Sequence, residues 1–163
     1  MRRALVALLS LIATQVAMAN EIVFGVFGDA GYSLPEEMAL ERMIPEINRE
    51  SLAFNVFVGD FKSGSSPCTD ELFRERRTLF EKSRAPLVYI PGDNDWTDCH
   101  RAGAGGYDPV ERLHKLRELF YPSRLSLGNG KLPLVSQRDM NGSVCSACVE
   151  HLRWRIGTVL FTT

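Results

Sequence analysis

The chain has 163 residues, of which 45% are hydrophobic and 24% charged, and its formal net charge is −1. This length and composition are typical of one globular domain with a buried core. The near-neutral charge excludes the strongly basic surface of most nucleic-acid-binding proteins, so no nucleic-acid partner is expected.

The first nineteen residues have the pattern of a secretory signal. Arg2 and Arg3 precede an apolar stretch at 4–16, and Ala17-Met18-Ala19 matches the small-residue pattern of a cleavage site. A transmembrane helix needs about 20 apolar residues, and this stretch is shorter. We therefore predict a signal peptide at 1–19, a mature domain at 20–163, a periplasmic or secreted location, and no membrane attachment once the signal is removed.

Three short hydrophobic runs each end in a Gly-Asp pair. The aspartates are Asp29, Asp60 and Asp93, separated by 31 and 33 residues. One strand-helix-strand unit takes about 30 residues, so this spacing predicts three neighbouring parallel strands of an α/β fold. Ligands of such sheets bind at the carboxyl ends of the strands, which is where all three aspartates would lie.

Helices are predicted between and after these strands. Ser33 begins a capping box with a proline in the first turn, and Pro45 is expected to kink or split the helix that follows. The apolar residues of 72–80 predict a second helix. Asp108 as N-cap, before a proline, predicts a third helix with Val110 among its inward-facing residues.

The last part of the chain reads as strand material. Strands are predicted near 134–137, 152–156 and 158–161, where β-branched and aromatic residues are frequent. No turn or polar tail follows Phe161-Thr162-Thr163. We therefore expect the chain to represent the amino-terminal part of a larger domain, incomplete at its C-terminus.

The four cysteines of an exported chain favour disulfides. Cys68 and Cys99 each follow one of the acidic strand ends, so they are predicted to pair. Cys145 and Cys148 form a C-x-x-C, which we interpret as a local staple. A thioredoxin-like redox centre is the weaker interpretation, because the pair does not open a helix after a strand.

Carboxylates that share one site repel each other and raise one another's pKa unless a cation neutralises them. Three aspartates at one sheet edge therefore indicate a metal site. Oxygen ligands alone would suit Mg²⁺ or Mn²⁺, and additional imidazoles would favour Zn²⁺ or iron.

The same turns carry a family resemblance, which covers about residues 22–100. The segments 28–31, 59–60 and 92–95 (Gly-Asp-Ala-Gly, Gly-Asp and Gly-Asp-Asn-Asp) resemble the first three motifs of the calcineurin-like metallophosphoesterases, with the D-x-G form of the purple acid phosphatases. The resemblance implies a β-sandwich flanked by helices, two metal ions (Fe, Mn or Zn) and hydrolysis of a small phosphate ester. It makes Asp29 a ligand of one metal, Asp60 the bridge and Asp93 a ligand of the second.

Several positions depart from the family pattern. Aligned through Gly92, Asn94 stands where the family has its catalytic histidine; in the other alignment Asn94 is the metal ligand and Asp95 takes the histidine position. His100 is the nearest histidine that could replace the lost general acid, although a loop histidine at the surface is the simpler interpretation. Gly31 supplies no imidazole, and Ser63 stands where a purple acid phosphatase has a tyrosine ligand.

The later histidine motifs of the family, including G-H-x-H, are absent from 1–163. His114 and His151 match none of them and are interpreted as structural or surface residues. Lys62 is predicted either to steady a phosphate or to lie at the surface.

Two further functional hypotheses stand beside the exported phosphoesterase. One is a non-catalytic, exported cation-binding or interaction module that keeps the acidic edge without the histidines. The other is a periplasmic thiol-disulfide protein that uses Cys145 and Cys148.

Overall fold

The structure is a computed structural model that describes residues 21–163, so the predicted signal peptide lies outside the described residues. Its first sheet contains the three expected parallel strands, β1 (Gly25–Phe27), β2 (Asn55–Phe57) and β3 (Leu87–Tyr89), in the order β1-β2-β3. Phe27 aligns with Phe57, and Phe57 with Tyr89. Every residue of β2 and β3 is buried, as expected for parallel strands covered on both faces.

Three helices connect and follow these strands: α1 (Leu34–Ile47), α2 (Asp70–Phe80) and α3 (Pro109–Phe120). The N-cap of α3 is the predicted one, because Asp108 Oδ1 accepts hydrogen bonds from the N–H groups of Val110 (2.7 Å) and Glu111 (3.1 Å). The side chain of Ser33 makes no capping bond to α1. α1 continues through Pro45 without a split. The expectation that Val110 faces inward was wrong, because its side chain is 57% exposed.

The apolar core has two parts, one on each face of the parallel sheet. On the helix side, a group of aromatic rings packs together: Phe57, Phe61, Phe73, Phe80, Tyr89 and Phe120. On the opposite face, Phe54, Val56 and Val88 pack with Leu152 and Trp154. Alternate residues of β2 thus serve opposite faces, which follows from the two-residue period of a strand.

A second sheet is antiparallel and comprises β4 (Val135–Ser136), β5 (Leu152–Ile156) and β6 (Val159–Thr162). The three strands predicted in this region are therefore confirmed. The indole of Trp154 meets the ring of Phe54 edge-on at 5.3 Å and stacks on Phe161 at 5.6 Å. These aromatic contacts hold the antiparallel sheet against the face of the parallel sheet that the helices leave free, and the fold as a whole is mixed α/β.

Both predicted disulfides are confirmed. Cys68 and Cys99 lie 5.7 Å apart at Cα, are fully buried, and join the segment before α2 to a 3-10 helix at Thr97–His100. Cys145 and Cys148 lie 5.5 Å apart at Cα. The Cys68–Cys99 bridge closes a loop across a sequence separation of 31 residues. A loop of this length stabilises the fold by about 4 kcal/mol in the chain-entropy picture. The two bridges fit an oxidising, extracytoplasmic environment, and none of the described helices is long and apolar enough to cross a membrane.

Arg112 joins α3 to the beginning of α2 beside the buried disulfide. Its side chain is only 7% exposed; Nη1 donates to the Cys68 carbonyl (3.0 Å) and to Asp70 Oδ1 (2.8 Å). Its guanidinium also lies 4.7 Å from the centroid of the Tyr107 ring. The hydrogen bond from Arg112 lowers the pKa of Asp70, and the one to Glu111 lowers the pKa of that carboxyl.

Replacing Arg112 with methionine is expected to lower the free energy of unfolding by about 2 to 3 kcal/mol at pH 7, because the Cys68 carbonyl and Asp70 lose a buried donor. The carboxyl pKa values are depressed in the folded state, so this stabilisation is present above the unfolded value near 4 and lost as pH falls through the folded values. Urea unfolding at pH 7 and pH 3 should therefore show the difference shrinking in acid.

Arg74→Met is the matched control, since Arg74 also contacts Asp70, at 3.2 Å, with a side chain that is 54% exposed. A surface pair of this kind contributes less than about 1 kcal/mol. Equal losses in the two variants would contradict the role assigned to Arg112.

Candidate functional site

The three Gly-Asp turns lie side by side at the carboxyl edge of the parallel sheet. The N–H of Asp29 donates to the Gly59 carbonyl at 3.0 Å, and the N–H of Ala30 donates to the Asp60 carbonyl at 3.1 Å. The strand register places the turn of β3 next to that of β2. The predicted arrangement of the turns at adjacent parallel strand ends is confirmed.

Asp29 and Asp60 have left-handed backbone conformations, with φ of 50° and 58°. They are the only non-glycine residues with positive φ in the described part of the chain. Such a conformation costs about 1 to 2 kcal/mol and is concentrated at functional sites, where the surrounding structure enforces it. Two strained aspartates in adjacent turns are therefore a signal that this edge is a site.

Close approach of the β2 and β3 turns requires glycine in both. A Cβ at Gly59 would lie 2.3 Å from the backbone nitrogen of Gly92, and a Cβ at Gly92 would lie 2.0 Å from Asp60 Oδ1. Since real Cβ atoms do not approach other atoms so closely, the two glycines allow the Asp60 carboxylate to lie directly on the β3 turn.

Tyr32 lies at the centre of this edge, a position that sequence reasoning missed. Its hydroxyl is 3.1 Å from Asp60 Oδ2, 3.3 Å from Asp29 Oδ1 and 3.3 Å from Asn94 Nδ2. The Asn94 amide nitrogen also donates to Asp60 Oδ2 at 3.2 Å. We call these four side chains, Asp29, Tyr32, Asp60 and Asn94, the edge cluster.

Electrostatics in the edge cluster favour a bound cation. Burial raises the pKa of Asp60; hydrogen bonds from the Asn94 N–H and Tyr32 lower it; the charges of Asp93 and Asp29 raise it again. Burial, together with the charges of Asp60 and Asp29, also raises the pKa of Tyr32, which keeps its proton at neutral pH. A cation between these oxygens would relieve the repulsion among the carboxylates.

Asn94 and Asp93 differ in their contacts with Asp60. Asn94 touches Asp60 through both its backbone N–H (3.1 Å) and its amide nitrogen. Asp93 is exposed, and its backbone carbonyl accepts from Trp96 and Asp98. Asn94 therefore holds the position next to Asp60, while Asp93 acts on Asp60 through its charge.

Asp95 is fully buried beneath the edge cluster. Its carboxylate accepts four hydrogen bonds, from the N–H groups of Asp60, Phe61 and Gly92 (each 3.0 Å) and from the Tyr89 hydroxyl (2.8 Å). Burial raises its pKa to about 6, and these four donors oppose that rise. The contacts are those of an anchor for two turns, and no open face of Asp95 is left for the catalytic role predicted for it.

His100, predicted as a replacement acid, is the exposed last residue of the 3-10 helix Thr97–His100, and its Nδ1 is 2.7 Å from the Thr97 carbonyl. Its catalytic role stays a prediction.

The surface position considered for Lys62 was wrong. Lys62 is fully buried, its Nζ donates to the Ser63 carbonyl at 3.0 Å, and burial lowers its pKa against the nearby Asp95 and Asp98 charges.

The donor set of the edge cluster fits one hard cation. Two carboxylates and an amide lie within 3.3 Å of the Tyr32 hydroxyl, and half a turn of the Asn94 amide exchanges its nitrogen for its oxygen. Oxygen donors suit Mn²⁺ best among the metals that the resemblance implies. Among the described residues, the carboxylates of Asp29, Asp60 and Asp93 do not all lie close enough together to hold one metal ion as a group of three. Cys148, Glu150 and His151 do, because their ligand atoms lie within 4.8 Å of one another.

No protein-family model, no curated protein and no solved structure matches this chain. Function must therefore be inferred from the geometry of the edge cluster itself.

Proposed function

We propose that this protein is an exported, metal-dependent phosphoesterase whose edge cluster holds the catalytic cation. The observation that carries the proposal is the convergence of Asp29, Asp60 and Asn94 on the Tyr32 hydroxyl, each within 3.1 to 3.3 Å of it. The finer fold expected from the resemblance, a β-sandwich flanked by helices, and a second metal beside Asp93 form part of the same proposal.

Each residue of the cluster has a definable task. Asp29 and Asp60 provide the negative charge that holds a cation, and the backbone N–H of Asn94 keeps the Asp60 carboxylate in place. Tyr32 keeps its proton, so it can donate a hydrogen bond to a phosphate oxygen but cannot act as a base at neutral pH. The cation would supply Lewis acidity and lower the pKa of a bound water.

The cluster contains no group that could protonate a poor leaving group. An asparagine amide does not transfer protons, and Asp95 is buried. Aryl phosphates leave as weakly basic phenolates, which need little help from a general acid. We therefore expect hydrolysis of aryl phosphates in clear preference to alkyl phosphates.

The direct test is hydrolysis of 4-nitrophenyl phosphate with added Mn²⁺, comparing the wild type with Asp60→Asn. Asparagine tolerates the left-handed backbone, so the variant should fold normally. It removes the charge that both carboxylate oxygens share with the cation. We expect turnover to fall by about 100-fold or more, which corresponds to about 3 kcal/mol of transition-state stabilisation.

Glu75→Gln is the control, because it neutralises an exposed carboxylate of α2, away from the edge cluster. It should leave turnover unchanged. Wild-type activity in Asp60→Asn would place the chemistry in other residues.

A second candidate function is cation binding without catalysis. It is favoured by one observation: none of the hydrogen bonds to the edge cluster, within the residues described, comes from an imidazole. Calorimetry with Mn²⁺ separates the two functions. Binding that is lost in Asp60→Asn, together with no turnover of 4-nitrophenyl phosphate, would favour the binding module over the enzyme.

A further inference from the structure

A second group of metal-binding side chains lies far along the chain from the edge cluster, in the loop between β4 and β5. Cys148 Sγ, a Glu150 carboxylate oxygen and a His151 ring nitrogen all lie within 4.8 Å of one another. Cys148 is bonded to Cys145, so two sulfurs, one nitrogen and one oxygen come from seven consecutive residues. Such a donor set suits Zn²⁺, but only when both sulfurs are thiolates.

The histidine of this group is held through one of its ring nitrogens. His151 Nδ1 lies 2.6 Å from Gln137 Oε1. With the Gln137 amide in this orientation, Nδ1 carries the proton and Nε2 keeps a free lone pair. Metal-binding histidines are held in this way by a second partner on the other ring nitrogen.

The glutamate and the loop backbone are held as well. Arg117 donates to both oxygens of Glu150, at 2.9 and 2.6 Å, and each oxygen retains a lone pair for a cation. The Ser136 hydroxyl donates to the Cys148 carbonyl at 3.1 Å, and the Gln137 N–H donates to the His151 carbonyl at 2.8 Å. The donors are therefore positioned by contacts that do not depend on the disulfide.

The two disulfides differ in their accessibility to a reductant. Cys145 and Cys148 are partly exposed, whereas Cys68 and Cys99 are both 0% exposed. Thiol-disulfide exchange requires direct attack of a thiolate on a sulfur. A dithiol should therefore reduce the Cys145–Cys148 bridge and leave the buried bridge intact.

We propose that reduction of the Cys145–Cys148 disulfide creates a zinc site formed by Cys145, Cys148, His151 Nε2 and Glu150. A dithiol supplies two electrons and two protons, giving two thiols and an oxidised dithiol. Zn²⁺ then displaces both thiol protons and binds two thiolates. Ligand atoms of a tetrahedral zinc lie about 3.3 to 3.8 Å apart, so the group contracts by about 1 Å as the two sulfurs separate. The metal replaces the covalent staple of this loop.

The experiment uses the full chain, reduced under native conditions and titrated with Co²⁺ as a spectroscopic substitute for Zn²⁺. Alkylation and peptide mapping should find two free thiols, at Cys145 and Cys148. Reduced protein should show thiolate-to-cobalt charge transfer and the visible bands of tetrahedral cobalt, both of which Zn²⁺ abolishes. Oxidised protein should show neither. The oxygen donors of the edge cluster cannot produce the sulfur band, so Asp60→Asn should retain it.

Variants that keep both cysteines separate the site from general thiol binding. Gln137→Ala should weaken Co²⁺ binding about 10-fold or more, since it frees the ring of His151, and His151→Ala should weaken it further. His114→Ala, which removes an exposed histidine of α3, should have no effect. Absence of the sulfur band in reduced, folded protein, or equal affinity in His151→Ala and the wild type, would overturn the proposal.

Discussion

Asp95→Ala is expected to lower the free energy of unfolding by about 4 kcal/mol. The substitution leaves four buried donors without an acceptor: the N–H groups of Asp60, Phe61 and Gly92 and the hydroxyl of Tyr89. An unsatisfied buried donor costs about 1 to 3 kcal/mol, and partial access of water to the turns reduces the sum. Because two of these donors belong to the Asp60 and Gly92 turns, the edge cluster should also lose its geometry.

Asp95→Asn tests the same anchor with nearly unchanged shape. An amide offers one accepting oxygen where the carboxylate offers two, and its nitrogen would face donors. We expect a loss of about 2 to 3 kcal/mol. Urea unfolding of the purified variants measures both effects.

Asp93→Ala is the matched control, two positions away in the same turn. The Asp93 side chain is exposed and, among the described residues, accepts no hydrogen bond. Its removal should change stability by less than about 0.5 kcal/mol. If Asp95→Ala and Asp93→Ala unfolded at the same urea concentration, the anchoring role of Asp95 would be wrong.

The sequence predicts well the parts of this fold that depend on local signals. Asp108 is found as the N-cap of α3 because its partners are the next two residues with free N–H groups. The spacing of Asp29, Asp60 and Asp93 predicts the parallel strands because each connection has the length of one helix and two short loops. The Cys68–Cys99 pair follows from the same edge geometry.

Other features depend on contacts across the fold and carry no local signal. Tyr32 contacts Asp60, which is 28 positions away in the chain. The residues next to Tyr32 in the sequence indicate only the start of a helix. Asp93 and Asp95 share one polar turn, yet one is exposed and the other completely buried. The burial of Lys62 could not be predicted from the sequence either, because a lysine is almost never fully buried without a partner.

Details of the helices also depend on their place in the fold. Pro45 lies two residues before the end of α1. At that position, neither its missing N–H nor the contact of its ring with the preceding turn divides the helix. Val110 has the spacing of an inward-facing residue but lies in the first turn of α3, where it extends past the core. Periodicity alone does not show where the core stops.

Gly59→Ala is expected to destabilise the protein by about 3 kcal/mol or more and to abolish cation binding at the edge cluster. Two costs combine at this position. Gly59 has φ of 91°, and its new Cβ would lie 2.3 Å from the nitrogen and 2.6 Å from the Cα of Gly92. Backbone atoms cannot rotate away as a side chain would, so the β3 turn must move and carry Asn94 away from Asp60.

Gly106→Ala isolates the backbone cost, because Gly106 also has positive φ (64°) but a Cβ there would meet nothing within 4 Å. Only the backbone penalty of about 1 to 2 kcal/mol applies to it. The difference between the two variants in urea unfolding therefore measures the contact between the β2 and β3 turns. Mn²⁺ calorimetry on the same proteins should show binding by Gly106→Ala and none by Gly59→Ala. Equal stability losses with retained binding in both would mean that the two turns do not need this close approach to form the site.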